Sequence, residues 1–188
     1  MNDNLARTAD FGAFVKRQQA LSVSPEGERV DWAKEREDWL RRLRELYEQI
    51  ESFLEQYART GEITLTYREI ELNEENIGSY RARQMILKIG RQEITMTPVG
   101  TLLIGAKGRV EIAGPAGRTR LLLVDSEASG PVPRLTVRIG RKPDRPPEEA
   151  EPRRIKWTWK IATSPPSIQY VELTQESLFQ ALMEVVNG

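Results

Sequence analysis

The chain reads as an α+β protein: a long N-terminal amphipathic helix, an antiparallel meander of about seven to nine strands, and a C-terminal helix. Apolar residues recur at helical spacing over residues 31–59, alternate with period two from residue 62 onward, and return to helical spacing after Thr174.

Composition sets the outer bounds. There are 188 residues, with 28 Lys+Arg, 28 Asp+Glu, no His and no Cys. That length fits one domain, or one domain with a helical appendage, and can bury a core without crosslinks. Without Cys there is no disulfide, thiolate nucleophile or Cys-based zinc site; without His, the usual general base and the commonest transition-metal ligand are missing. No cofactor is expected. Charged residues make up 30% of the chain, as in a globular protein with solvated helices. No run approaches the roughly 20 apolar residues of a membrane-spanning helix. Residues 1–19 carry no apolar core of a signal peptide, so a cytoplasmic location is expected.

Two regions are expected: a helical one over residues 1–61 and an antiparallel β domain over 62–188, closed by a helix at 174–187. Before the long helix, residues 8–20 suit a short helix carrying Phe11, Phe14 and Val15, and residues 24–27 a turn. In the helix at 31–59, Trp32, Trp39, Leu43, Leu46, Ile50 and Phe53 fall on one face, widened by Leu40, Tyr47 and Leu54. That stripe is broader than a two-position coiled-coil seam and suits packing on a sheet or in a bundle; its aromatics equally suit a contact between molecules. Asp31 is placed to cap the start, and Gly61 to take the left-handed conformation at the end.

The strands follow in order. Residues 63–67 alternate, then shift phase to Ile70 and Leu72, which predicts a bulge near Arg68 and Glu69. A loop at 73–78 leads to a strand over 80–89, and Gly90-Arg91 to a tight turn into 93–97. Pro98-Val99-Gly100 is expected to break that strand. Further strands are expected at 101–104, 109–113 and 119–125, the last apolar on both sides as in a sheet centre. Strands at 134–140 and 154–163 flank a Pro- and charge-rich insert, and a short strand at 168–173 precedes the helix capped by Thr174. This arrangement suits a curved sheet gripping a helix. From about Tyr80 onward the element order is also similar in outline to the pleckstrin-homology-like superfold, which would imply a barrel; no family motif accompanies the likeness.

Charge patterning supplies the candidate sites. Alternation gives the strands at 134–140 and 154–161 one apolar face and one face carrying Arg134, Arg138, Arg154, Lys156 and Lys160. Paired as a hairpin, they make a basic strip suited to a nucleic-acid backbone or an anionic lipid headgroup, which Arg81 and Arg83 would extend. The strand tryptophans point the other way, so the strip lacks the aromatics with which single-strand binders stack bases. It equally suits a solvated outer face.

Other motifs are weaker. Gly100 to Lys107 has P-loop glycine spacing but lacks the following Lys-Ser/Thr and the helix. Strand carboxylates Glu69, Glu71, Glu93, Glu111 and Asp125 are the acid–base groups left without His, yet no spacing pairs them. Pro143 to Pro146 is a bare P-x-x-P.

The expected function is therefore a non-enzymatic interaction or assembly protein. Its partner would be another protein, a second copy included, met by the aromatic helix face and a sheet surface. The alternative is a polyanion-binding β domain using the basic strip. Net charge is zero but uneven: residues 79–162 carry 17 basic and 8 acidic groups, whereas residues 163–188 carry three Glu and no base.

Overall fold

A computed structural model describes residues 30–101, 106–131, 155–163 and 167–188. The expected elements at 8–20, 24–27 and 134–153, with the P-x-x-P, lie outside that set, as does nearly all of the strand expected at 101–104. The chain divides into two compact units, Met1–Trp32 and Ala33–Gly188.

Helix α1 spans Trp32–Arg59. Its apolar stripe buries Trp39, Leu43, Leu46, Tyr47, Ile50 and Leu54, and each fully buried side chain of this size contributes about 1.5–3 kcal/mol. On its polar side Arg41 bonds Asp38 and Glu45, and Arg42 lies 3.2 Å from Asp38. Burial works against the charge on Asp38, but hydrogen bonds and attraction from Arg41 and Arg42 outweigh it and hold the carboxyl below its usual range. The helix ends in a Schellman turn: Gly61 has φ 77°, its N–H donates to Ala58 O, and the Glu62 N–H donates to Tyr57 O.

Seven strands form one antiparallel sheet in sequence order: β1 (Ile63–Glu74), β2 (Gly78–Ile89), β3 (Gln92–Gly100), β4 (Gly108–Ala113), β5 (Arg118–Asp125), β6 (Trp157–Ala162) and β7 (Tyr170–Glu172). The sheet is open, not a closed barrel, with β1 and β7 at its edges among the described residues. Met85, Met96 and Ile112 stand opposite one another along one row, and Val110, Leu121 and Ile161 along the next. All are buried in a core shared with α1 and with helix α2 (Gln175–Asn187). Thr174 caps α2, accepting the Ser177 N–H while its own N–H donates to Ser177 Oγ.

Gly108 marks a close approach of α1 to the sheet. A Cβ there would lie 2.2 Å from a Trp39 ring carbon, so the indole occupies the space that a side chain would take. Trp39 and Trp159 meet at 6.0 Å, and the Trp159 Nε1–H donates to Arg42 O.

Two sequence expectations are corrected. No bulge interrupts β1: its pairing with β2 is unbroken from Ile63↔Ile89 to Glu74↔Gly78. Instead both strands change their buried face together, from Leu65 and Leu87 to Ile70 and Ala82. The β2–β3 pairing ends at Met85↔Met96, so the far half of the hairpin is a two-stranded ribbon, free to twist more strongly than a full sheet. Nor does Pro98 break β3, which runs to Gly100 with its irregularity absorbed between Pro98 and Gly100.

Candidate functional site

The aromatic face of α1 is covered by the chain's own sheet. Trp39, Leu43, Leu46 and Ile50 are buried, and Phe53 is half-buried against the same core. Trp32, at the helix start, is 37% exposed.

The basic strip is only partly described. Arg134, Arg138 and Arg154 lie outside the described residues. Lys156 is exposed. Lys160 is 5% exposed, and its Nζ donates to Ser126 O at 2.8 Å and Ala128 O at 2.9 Å. Alternation does place Lys160 on the outer side of β6, but the segment after β5 lies over it. The ammonium holds that segment by its carbonyls, a role that satisfies a buried charge. Arg81 faces Glu69 at 3.5 Å, and the Arg83 guanidinium lies 5.9 Å from the Tyr67 ring centre. Lys107, just before β4, reaches across to α1, its Nζ 3.2 Å from Glu35 and 3.7 Å from Asp38.

The strand carboxylates do not converge. Glu69 faces Arg81, Glu93 faces Lys88 and Glu111 faces Arg118. Asp125 accepts the Glu127 N–H in the turn after β5. Among the described residues no group of three or more acids stands close enough to hold a metal ion.

A buried polar cluster was not foreseen. Glu74 closes β1 and is 8% exposed. It accepts the Tyr80 hydroxyl on one oxygen and, on the other, both the N–H and the hydroxyl of Thr101 at 2.8 Å. Burial and the neighbouring carboxylate raise the Tyr80 pKa, keeping the phenol protonated. Gly100 has φ 136°, and a Cβ there would crowd the Glu74 carboxyl carbon at 2.8 Å. The cluster ties the ends of β1 and β3 together, and its donors are internal.

Among the described residues, two of the surface depressions border α1. One, of about 400 Å³, lies between α1 and the β1–β2 hairpin. It mixes charged and apolar side chains, and the Tyr67 hydroxyl donates to Glu51 at 2.5 Å within it. The other is an apolar groove of about 450 Å³ where α1 ends beside α2. Leu54 and Tyr57 form one wall, Phe179, Leu182, Met183 and Val186 the other, and Ile63 and Ile89 the floor. Tyr57 and Phe179 meet edge to face at 5.8 Å. Met183 is 58% exposed and Tyr57 36%. Glu62 is the one charged residue among the groove's lining. No protein-family model, curated protein or solved structure matches the chain.

Proposed function

We propose that this protein is a non-enzymatic protein-interaction module whose docking surface is the apolar groove between the end of α1 and α2. The observation that carries this reading is the exposure of Met183 and Tyr57 along a concave surface lined mostly by apolar side chains, with Glu62, Gln92 and Asn187 as its polar members. Contiguous apolar surface rimmed by polar groups is a common mark of a binding site, and Met adapts its shape to an incoming side chain. The aromatic face of α1, by contrast, is already occupied by the sheet. Eleven residues line the groove, fewer than the roughly 20–30 per side of a standard protein interface. The occupant is therefore one segment of another protein, not the face of a second copy.

The test is a photo-crosslinking residue placed at Met183 in the full chain, with a control at exposed Arg44. A partner crosslinked from 183 only, whose purified form loses binding to the Met183→Glu protein, supports the reading. Identical crosslinks from both positions, or undiminished binding to Met183→Glu, overturns it.

A further inference from the structure

We infer that the segment received by the groove is a basic amphipathic helix; this rests on the docking role proposed above. The shape of the groove suits a helix. Phe179, Met183 and Val186 are spaced i, i+4 and i+7 along α2, a stripe about 10 Å long. A second helix laid beside it meets that stripe with anchors of the same spacing. An extended segment would add to the free edge of β1, but Arg68, Glu69 and Glu71 line that edge as exposed charges, the usual guard against strand addition.

The charge around the groove suits a basic helix. Glu62 lines the groove, and α2 carries Glu176 and Glu184 as exposed charges on the solvent side of its apolar stripe. No Lys or Arg follows Lys160 in the sequence. The last turn of α2 holds no cation, and the backbone N–H groups of Ala116 and Gly188 meet the Val185 and Glu184 carbonyls there. Arg59, at the end of α1, faces Glu55 at 3.6 Å, and Lys88, next to Ile89, faces Glu93 at 3.5 Å; Arg91, next to Gln92 in the β2–β3 turn, opposes the trend. An apolar stripe flanked by Lys or Arg matches this rim, and an acidic or anionic-lipid surface does not.

Three model helices test the inference, sharing one Leu/Trp face and differing only in a Lys, Gln or Glu polar face. They are titrated into the full chain by fluorescence anisotropy at low and high salt. The Lys-faced helix should bind about tenfold tighter than the Gln-faced one at low salt, with the advantage shrinking as salt rises. Glu176→Lys with Glu184→Lys should reverse the order, and Met183→Gln should weaken all three. Equal, Met183-dependent binding of the three helices would overturn the basic preference and leave the groove reading intact. Binding of none, binding indifferent to Met183, or preference for anionic vesicles over the Lys-faced helix would overturn both.

Discussion

The Tyr47 hydroxyl donates to the Arg83 carbonyl at 2.7 Å and lies 3.3 Å from the Met96 carbonyl, where β2 parts from β3. Below this point the two strands pair; beyond it β2 pairs with β1 alone. The phenol substitutes for the missing rung of the ladder, and burial raises its pKa so that it stays a donor. Tyr47→Phe keeps the ring and removes the donor. It should cost about 1–3 kcal/mol, read from urea unfolding, with faster amide exchange in residues 80–84 than in 92–96. Unchanged stability and exchange would show that the hydroxyl holds nothing.

Gly108→Ala should be destabilising by about 1–3 kcal/mol, because the new methyl enters space held by Trp39 and the indole must move. The Trp39–Trp159 contact gives a second readout: near-ultraviolet circular dichroism should weaken while far-ultraviolet signal is kept. A variant as stable as the parent with the same near-ultraviolet spectrum would place the helix farther from β4.

Lys160→Met removes a buried ammonium and leaves the Ser126 and Ala128 carbonyls without their donor. The expected cost is about 1–3 kcal/mol, with faster exchange confined mainly to the segment after β5. If Lys160 instead served a polyanion, the variant would fold normally and bind heparin less tightly.

Ionisation sets limits at both ends of the pH scale. Asp38 has a lowered folded pKa, so its contribution is present above the unfolded value and disappears as pH falls through the folded one. Asp38→Asn should therefore flatten the loss of stability below about pH 4. The effect is small because the pair is partly exposed. Tyr47, Tyr67 and Tyr80 are shifted upward from 10.0, chiefly by burial. Their contribution is complete below about pH 10 and is lost as pH rises toward the folded values. Stability of the parent should fall above about pH 10, and less steeply in Tyr47→Phe; parallel alkaline limbs would contradict the assignment.

Periodicity carried most of the fold. The stripe from Trp39 to Leu54, the Thr174 cap, the turn at Gly90 and the central strand around Leu121 each follow from local spacing that the folded chain keeps. The phase shift at Ile70 is present in the sequence, but it accompanies the end of β2–β3 pairing, a non-local event. Alternation likewise puts Lys160 on the outer side of β6 yet says nothing of the segment that covers it. The groove was illegible for the same reason: Tyr57, Ile63, Ile89 and Met183 come from separate elements. The one local hint is that Met183 stands out of phase with buried Leu178, Leu182 and Val185.

The four methionines offer the most direct measurement of the docking claim. Met85 and Met96 are fully buried, whereas Met183 stands in the groove. In a methyl-labelled full chain titrated with the Lys-faced model helix, the Met183 methyl resonance should shift saturably while those of Met85 and Met96 stay in place. A Met183 resonance unmoved at saturating helix, or three methyls moving together, would contradict the groove as the docking surface.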